Sequence, residues 1–386
     1  MSAPEIKGWC PGARRPMMSG DGLVVRLRPQ FGQVNSGQLS GVAALSKEFG
    51  TGAVDVTNRA NLQIRGVFEQ DYDALIARLD ALSLLRGNEQ VEGRLNIIID
   101  PFHEGEGSAA LDIAARLEKG LSSPEFEGLP SKFGFVVDTG SRRRLADASG
   151  DIRIELSVDG LIVRADGLPK GVPVATPDEA ATVALDMAQW FLASGGVGSD
   201  GRGRMASHVT AATLPAPLTG TEKPNTAGER PKSGSVDGGF LVGAAFGSFT
   251  AEALQAIAEV ATSIRLTPWR MVFLPGVDFD TVPDHPDLVI VAGDPRLSVA
   301  ACVGAPHCPQ SSVRTREIAR QIAMRLAARQ TAHVSGCAKG CAKPGPADLT
   351  LVGNGGAFDL VRKGAAWDRP SSRGLDVSHI LALIES

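Results

Sequence analysis

The chain has 386 residues, 43% of them hydrophobic, and a formal net charge of −4. This length suffices for two or three domains with their own cores. No apolar run approaches the roughly 18 residues that a membrane-spanning helix needs, so a membrane protein is not expected. The negative net charge and the low content of Phe, Trp and Tyr, 5% together, also argue against a nucleic-acid-binding protein.

Charge is distributed unevenly along the chain. Residues 1–66 contain eight Lys/Arg and four acidic residues, and residues 302–343 contain seven Lys/Arg and a single acid, Glu317. Two basic regions in an otherwise acidic chain predict an anionic ligand held between them. Solvated helix faces would explain the series Arg314 to Arg329 equally well, so that alternative stays open.

The order of the predicted elements repeats, which predicts an internal duplication. Each unit begins with a strand, continues with a helix whose apolar residues recur at a 3.6-residue spacing, and closes with a strand and a Gly-Val turn. In both units another apolar strand follows the turn. The opening strands, the turns and the following strands are 21–28, Gly66-Val67 and 95–99 in the first unit, and 237–244, Gly276-Val277 and 288–292 in the second.

Further helices and strands are predicted between and after these units. The helix over 176–194 has the clearest start, because Thr176 can cap its first turn and Pro177 fits the first helical position. The residues from Leu214 to Gly239, rich in Pro, Gly, Ser and Thr, predict a linker. The other predicted helices cover 108–121 and 311–330, and the other predicted strands cover 133–137, 152–156 and 161–163.

Four of the five cysteines form two close pairs, Cys302-x5-Cys308 and Cys337-x3-Cys341. The neighbouring glycines allow loops to approach a metal centre closely. Four thiolates on such loops predict a 4Fe–4S cluster bound by these residues. A zinc site, whose paired ligands are usually spaced by roughly two to four residues, and disulfides remain alternatives. Cys10 is given no ligand role.

Three further segments accompany the cysteine pairs, and together they resemble the nitrite/sulfite reductase family over nearly the whole chain. These segments are Thr57-Asn-Arg-Ala-Asn-Leu-Gln63, Leu129-Pro-Ser-Lys-Phe133 and Leu351-Val-Gly353. The resemblance implies an α+β fold, in which a ferredoxin-like half-domain and a mixed α/β domain are duplicated. The implied domains are a first half-domain (1–70), a first α/β domain without cluster (71–213), the linker (214–238), a second half-domain (239–280) and a second α/β domain with the cluster (281–386).

Two departures from the reductases bear on the activity. The reductases usually carry Pro-Asn inside the second cysteine pair, where this chain has Ala338 and Lys339, and a Lys-x-Lys motif, where this chain has Lys132-Phe133-Gly134. The missing ammonium group would help to attract a small anion and stabilise its reduction. With these departures, and with its segments Cys10-Pro-Gly12 and 16–23, the chain resembles the family members that oxygenate a tetrapyrrole in cobalamin biosynthesis.

The resemblance implies an O2-dependent monooxygenase that hydroxylates a metal-free tetrapyrrole, precorrin-3A, at carbon 20 and closes a γ-lactone. Its partners would be this tetrapyrrole, O2 and an unidentified electron donor. A small sirohaem-dependent nitrite or sulfite reductase, with Cys341 bridging sirohaem and cluster, is the first alternative. A non-catalytic iron–sulfur electron-transfer module is the second. Because no apolar signal segment follows Met1, a cytoplasmic location is expected.

The same resemblance indicates the site residues. Arg59 and Lys132 match positions that face the macrocycle, and they are the expected catalytic residues. An arginine guanidinium can bind a carboxylate through two parallel hydrogen bonds. The candidate substrate-binding residues are therefore Arg14, Arg15, Arg26, Arg28, Arg59, Arg65, Arg94 and Lys132.

A mononuclear non-haem iron is also implied, because O2 activation needs an iron with open positions. No ligand set for it follows from the sequence. His103-Glu104-x-Glu106 has suitable residue types, but a solvated turn explains the segment as well. His307 adjoins Cys308, and a hydrogen bond near the cluster would explain it.

Overall fold

The computed structural model describes residues 10–385. Residues 1–9, which include Lys7 of the first basic region and the start of the predicted first half-domain, lie outside the described residues. In the first half the strands are β1 (Met17–Ser19), β2 (Gly22–Leu27), β3 (Gln33–Asn35), β4 (Ala53–Val56), β5 (Leu62–Val67), β6 (Ile97–Ile99), β7 (Phe135–Asp138), β8 (Ile152–Leu156), β9 (Leu161–Ala165) and β10 (Val172–Val174).

In the second half the strands are β11 (Gly234–Val236), β12 (Gly239–Ala244), β13 (Ser248–Thr250), β14 (Ser263–Leu266), β15 (Met271–Pro275), β16 (Leu288–Val289), β17 (Val299–Ala301), β18 (Ala332–Ser335), β19 (Ala347–Asn354), β20 (Ala357–Gly364) and β21 (Ser372–Leu375). The helices are α1 (Ser36–Phe49), α2 (Tyr72–Ala81), α3 (Glu89–Arg94), α4 (Ala109–Leu121), α5 (Pro177–Ala193), α6 (Met205–His208), α7 (Ala251–Val260), α8 (Thr315–Ala323) and α9 (Val377–Glu385).

The strands form four sheets that correspond in pairs. Sheet 1 has the order β1-β2-β5-β4-β13, and sheet 3 has the order β11-β12-β15-β14-β3. Sheet 2 has the order β10-β9-β8-β7-β6, and sheet 4 has the order β17-β18-β19-β20-β21. Each of these two sheets contains three parallel strands, which are β6, β7 and β8 in sheet 2 and β17, β18 and β19 in sheet 4. The other strands of both sheets pair antiparallel to their neighbours. The predicted duplication is therefore confirmed, and it covers both kinds of domain.

Sheets 1 and 3 exchange one strand each. β3 from the first half pairs with β14 of sheet 3, and β13 from the second half pairs with β4 of sheet 1. A kink at the same place in both repeats starts the exchange, at Phe31 (φ 55°) and Gly32 (φ 67°), and at Phe246 (φ 65°) and Gly247 (φ 71°). Glycine adopts this left-handed backbone readily, whereas the phenylalanine before it must be held there by the fold.

Each exchanged strand ends at the cap of a helix. The Asn35 side chain accepts a hydrogen bond from Gln38 N (2.8 Å), and the Gln38 side chain accepts one from Asn35 N (3.0 Å), which makes a capping box for α1. Thr250 Oγ1 likewise accepts from Ala253 N (3.3 Å) at the start of α7. α1 and α7 bury their apolar faces in one core that extends over sheets 1 and 3. The two half-domains therefore share a core, and the burial of apolar area couples their stability.

The predicted helices agree with the structure at 108–121 and 176–194, where α4 and α5 lie. The helix predicted over 311–330 is wrong at both ends, because α8 covers only Thr315–Ala323. At its start, Val313 O accepts a hydrogen bond from Ala305 N (2.8 Å) and so belongs to the first cysteine loop. At its end the chain turns away, and Arg329 has a φ of 69°.

A second difference concerns the strand predicted over 288–292. Only Leu288–Val289 forms a strand, β16, and it pairs with β12 in sheet 3. The counterpart of β6 is β17, further along the chain. β11 lies inside the predicted linker, and the predicted domain limits stay predictions. Among the residues that the structure describes, no helix has the length and apolar character to cross a membrane.

The strand exchange predicts that damage to β3 destabilises the second repeat. Val34 is 1% exposed and pairs with Ile264 of β14. Val34→Asp places a charge in the shared core and should lower the free energy of unfolding by about 3 kcal/mol or more, measured by urea unfolding. Gln30→Asp, an exposed change in the same segment, should leave it unchanged. Equal stability of both variants would contradict the coupling.

Candidate functional site

The two cysteine pairs meet at one edge of sheet 4. Cys302 directly follows β17, and Cys337 comes two residues after β18. These strands are parallel neighbours, with Ala301 opposite Val334. Because parallel strands end at the same edge of a sheet, the loops that carry the four cysteines lie side by side.

Close backbone approach holds the two loops together. Gly336 N donates a hydrogen bond to Cys302 Sγ (3.1 Å). A Cβ on Gly336 would lie 2.3 Å from Ser311 Oγ, so only glycine fits between the loops. The Cys308 N donates to Gly304 O (2.8 Å), where Gly304 has a φ of 70°. Backbone N–H groups aimed at cysteine sulfur are a feature of iron–sulfur sites.

The four thiols are close enough to influence one another. Desolvation by the packed loops raises the pKa of the Cys341 thiol, although the residue as a whole is exposed. Lys339 opposes this rise, and negative charge on Cys302, Cys337 and Cys308 adds to it. A positive iron centre would remove this repulsion by binding the thiolates.

A set of four thiolates is the donor set that the predicted 4Fe–4S cluster needs. Within residues 10–385, no three side chains of His, Cys, Asp or Glu converge closely enough to hold one metal ion. A four-iron cluster spreads its four thiolates over four corners, so it does not need that convergence. All five cysteines are free thiols in the structure, so the alternative of a disulfide finds no support there.

The first cysteine loop docks on the turn between β1 and β2. His307 O accepts hydrogen bonds from Gly20 N (3.1 Å) and Ser19 Oγ (2.9 Å). Arg65 reaches the same carbonyl (3.4 Å) and forms an ion pair with Asp21 (3.0 Å). Arg65, a predicted substrate-binding residue, thus bonds mainly to Asp21 and Ser19 of the β1–β2 turn and makes one longer hydrogen bond to the cysteine loop.

Part of the second basic region serves the same docking. Arg316 of α8 forms an ion pair with Asp55 of β4 (3.0 Å) and donates to Ser248 Oγ of β13 (3.0 Å). Burial acts to raise the pKa of Asp55, but Arg316 and its hydrogen-bonding neighbours hold that pKa below its ordinary value. Arg314, by contrast, is exposed beside Glu317. The region is therefore partly a solvated face and partly an anchor.

A cavity of about 440 Å³ lies against the cysteine loops. It is enclosed by the residues before β11, the turn between β14 and β15, and the edge of sheet 4, and it reaches Ala301 before Cys302 and Ala342 after Cys341. Its apolar lining includes Phe246, Trp269 and Met271. The charged residues around it are Arg230, Lys232, Asp294, Arg296, Arg270 and Lys343.

The cavity is strongly positive, because its one carboxylate, Asp294, is paired with Arg296 (2.7 Å). Burial lowers the pKa of both Arg230 and Arg270. Arg270 Nη2 donates to Ala342 O (3.1 Å) and so ties the β14–β15 turn to the residue after Cys341. Such a lining suits a ligand with several negative charges and an apolar body.

None of these cavity residues was among the predicted substrate-binding residues. A signal for Arg270 existed in the duplication. The two repeats have corresponding turns, Thr57-Asn-Arg59-Ala60 in the first and Thr267-Pro-Trp269-Arg270 in the second. The last residue of each turn has a left-handed backbone, with φ 53° at Ala60 and φ 62° at Arg270. Comparing the two turns would have shown that both repeats place an arginine beside the site.

Three of the predicted arginines come together near the N-terminal segment. Burial lowers the pKa of Arg26, Arg28 and Arg59, and the Cys10 thiol opposes this for all three. Arg26 also donates to Gln63 Oε1 (2.9 Å), and its charge reaches Arg270 of the cavity. Cys10, which the sequence left without a role, therefore lies close to these three arginines.

The expected catalytic residues lie at the edge of this cluster. Arg59 Nη2 donates to Lys132 O (3.1 Å) and to Ser149 Oγ (3.0 Å), and Lys132 itself is exposed. Gly134, at the position of the absent second lysine, is closed in, since a Cβ there would lie 3.1 Å from Asn96 O. The roles of Arg59 and Lys132 stay predictions.

The remaining arginines do not join the cluster. Arg94 is 5% exposed and donates to Gln90 O (3.1 Å) within α3 and to Ser123 O (2.8 Å) after α4, so it links these two segments. Arg14 lies 3.7 Å from Asp80, and Arg15 lies 3.8 Å from Glu89 on the surface.

The segment considered for mononuclear iron is a turn after β6. His103 is 9% exposed, and its Nδ1 accepts a hydrogen bond from Gly105 N (3.1 Å). Glu104 and Glu106 are exposed, so these three side chains do not share one site. The loops after β6 and β7 instead bury Asp100 and Asp138, at the edge of sheet 2 that corresponds to the cysteine edge of sheet 4.

Comparisons with known proteins agree with this architecture. Residues 15–82 match the family model for the nitrite/sulfite reductase ferredoxin-like half domain. The solved structure of the Mycobacterium tuberculosis NirA protein superposes with a TM-score of 0.67 at 17% identity, covering 94% of this chain and 79% of that one. The fold is therefore the α+β, nitrite/sulfite reductase-like architecture predicted from the sequence.

The sequence relatives are more specific. Precorrin-3B synthase from a Sinorhizobium species is 29% identical over 403 aligned positions, covering 95% of this chain and 85% of that protein. Ferredoxin–nitrite reductase from Synechococcus elongatus is 28% identical over 135 residues, 33% of this chain and 26% of the reductase. The predicted resemblance is confirmed: the chain is similar to precorrin-3B synthase over almost its full length. Both relatives are enzymes, which supports an enzymatic function.

The cysteine geometry predicts which thiols a cluster needs. Cys337→Ser should abolish the broad iron–sulfur absorption near 400 nm after anaerobic reconstitution, because one corner of the cluster loses its thiolate. Cys10→Ser should retain it, since Cys10 lies in the arginine cluster. The measurement is the visible spectrum together with the iron and sulfide content. A full cluster in Cys337→Ser would contradict the ligand assignment.

The buried acids predict a pH dependence of stability. Burial, then the charge of Asp100, raises the pKa of Asp138 from its ordinary value of 3.8 to about 7. The folded protein thus binds an extra proton, and the resulting stability, complete below pH 4, is lost as the pH rises through about 7. Asp138→Asn should therefore raise the free energy of unfolding at pH 8 by about 2–4 kcal/mol and much less at pH 4. The exposed control, Asp159→Asn, should change neither value in urea unfolding.

Proposed function

We propose that this chain catalyses the precorrin-3B synthase reaction. In that reaction O2 hydroxylates precorrin-3A at carbon 20, and a γ-lactone closes on the ring A acetate. The observation that carries the proposal is the positive cavity that reaches Ala301 and Ala342, next to Cys302 and Cys341, in a chain similar to precorrin-3B synthase over 95% of its length.

The cavity suits the substrate in its positive charge and in its partly apolar lining. A metal-free tetrapyrrole has an apolar ring system with carboxylates around its edge. Phe246, Trp269 and Met271 offer apolar contact to the ring. Arg270 and Lys343 offer charged hydrogen-bond donors to the carboxylates. In this proposal Arg26, Arg28 and Arg59 extend the same carboxylate-binding surface toward the first repeat.

The proposed cofactors are a 4Fe–4S cluster and a mononuclear non-haem iron. Cys302, Cys308, Cys337 and Cys341 would hold the cluster, which would supply electrons. The mononuclear iron would supply open positions for O2, and none of the described residues is assigned to it as a ligand. The protein residues bind and orient the macrocycle beside these loops, and the apolar lining excludes water from it. An unidentified electron donor completes the proposed partners. A reducing, cytoplasmic location suits four free thiols.

Gly134 argues against the reduction of a small anion as the activity. A lysine at this position would contribute a second ammonium for a small anion, but a side chain there would meet Asn96 O and Arg59 Nη1 at 3.1 and 3.5 Å. A lysine there would therefore be crowded by Asn96 O, and glycine in its place lacks the charge. A reductase of sulfite or nitrite would lose the stabilisation that this cation gives.

A sirohaem-dependent reductase is the second candidate. The local similarity to ferredoxin–nitrite reductase and the fold shared with the NirA protein favour it. An electron-transfer module is less well supported, because a relay does not require a positive cavity of about 440 Å³ beside its cluster.

Turnover under controlled gas separates these functions. The reconstituted protein, supplied with a reductant, should convert precorrin-3A under air and not under argon, as followed by mass spectrometry of the product. Incorporation of one 18O atom from 18O2 is expected. Cys337→Ser serves as the inactive control with the same fold. A purified protein that shows a sirohaem Soret band and reduces nitrite or sulfite, without oxygenating precorrin-3A, would falsify the proposal.

A further inference from the structure

Several cations line the cavity without forming an ion pair. Among residues 10–385, the only ion pair made by a lining residue is the one between Asp294 and Arg296. Like charges around one cavity repel one another, and an anion bound between them removes that repulsion. The lining cations outside the ion pair are Arg230, Lys232, Arg270 and Lys343.

These cations come from three separate segments. Arg270 lies in the turn between β14 and β15, and Lys343 lies two residues after Cys341. Arg230 and Lys232 lie on the stretch 229–232, before β11. Charges spread over three segments fit a ligand whose anionic groups are spread around its edge better than they fit a small ion with one anionic centre.

The stretch 229–232 is a strap between two anchors. Before it, Gly228 N donates a hydrogen bond to Arg143 O (2.9 Å), which fixes the chain to the loop after β7 of sheet 2. After it, Ser233 Oγ donates to Val291 O (2.8 Å), which fixes the chain to the segment that follows β16 of sheet 3. The strap thus crosses from sheet 2 to sheet 3, and it lines the cavity on the way.

The strap holds its two cations at the opening of the cavity. Pro231 has a fixed φ and disfavours a helical backbone at the residue before it. Arg230 Nη2 donates to the carbonyl oxygen of Trp269 (2.9 Å), another lining residue, which leaves N–H groups of the guanidinium for a ligand. The charge of Asp147 acts on Arg230 from outside the lining, beyond ion-pair distance. Arg230 and Lys232 are both exposed while they line the cavity, so they lie at its rim.

An ordinary linker would also be rich in charged residues. Lys223 is such a residue, since it is exposed, lies before the first anchor and does not line the cavity. The cations of the strap differ because they share the cavity with those of its wall. Burial lowers the pKa of Arg270, and the charge of Arg230 lowers it further. The strap and the wall therefore direct positive charge into the same space.

We propose that residues 229–232 are a substrate-binding strap, on which Arg230 and Lys232 bind carboxylates of the tetrapyrrole at the rim of the cavity. Arg270 and Lys343 bind other carboxylates of the same ligand. The strap thereby selects tetrapyrroles that carry carboxylates around the whole edge over those that carry fewer. This inference rests on the proposed function, because it takes the tetrapyrrole as the ligand. It gives a specificity role to residues that the sequence indicated only as a linker.

Binding of two stable porphyrins to the cluster-containing protein tests the strap. Uroporphyrin III is an octacarboxylate and coproporphyrin III a tetracarboxylate, and quenching of porphyrin fluorescence gives both Kd values. Lys232→Gln should raise the Kd of uroporphyrin III about fivefold, and the double variant with Arg230→Gln about thirtyfold, since charge-assisted hydrogen bonds are lost. The Kd of coproporphyrin III, which has fewer carboxylates to lose, should rise about twofold. Lys223→Gln, in the same linker, is the matched control and should change neither Kd.

The ratio of the two Kd values distinguishes selection from folding. An equal loss of affinity for both porphyrins would overturn the inference, because a strap that only shapes the cavity affects both ligands alike. Unchanged Kd values in the double variant would also overturn it. So would an unchanged protein that binds neither porphyrin or binds both equally well. In each of these cases the conversion of precorrin-3A under air, measured separately, still decides the proposed function.

Discussion

The exchange of β3 and β13 between the two repeats is the constraint on which the site depends. It joins sheets 1 and 3 through one core and places β13 beside β4. Arg316 of α8 then binds across this junction, to Asp55 on one strand and Ser248 on the other. Because the pair is largely shielded from water, its electrostatic attraction is stronger than that of a surface pair. The domain that carries the cysteines is thereby held against both half-domains.

The duplicated domains show how one fold gives two different interiors. Sheets 2 and 4 have the same strand order and directions. In sheet 2, Ile98 and Val136 fill the interface, and the strand ends carry buried acids. In sheet 4 the corresponding face has Ala300 and His333, and the strand ends carry cysteines. Ala300, which lines the cavity, is smaller than Ile98 at the corresponding position of sheet 2, and a smaller side chain fills less of a close-packed interior.

Local patterns were the most predictable part of the protein. The cap of α5 and the period of α4 could be read from neighbouring residues, since helix signals act within a few positions. The cysteine spacing indicated the cluster loops for the same reason. α8 was predicted too long, because Val313 is taken by the cysteine loop, a contact with residues distant from the helix pattern. Arg94 was placed with the substrate on charge alone, whereas its guanidinium bonds to the carbonyls of Gln90 in α3 and Ser123 after α4.

From the sequence alone came the cysteine quartet, the duplication and the family resemblance, since each is a matter of residue type and spacing along the chain. Tertiary structure decided which arginines gather, that Arg65 and Arg316 anchor domains, and that the cavity is built largely from second-repeat residues such as Arg270. It also left the ring nitrogens of the buried His333 without a hydrogen-bond partner among residues 10–385. Pattern cannot show these outcomes, because they depend on which side chains from distant segments meet and on which partners remain for each polar atom.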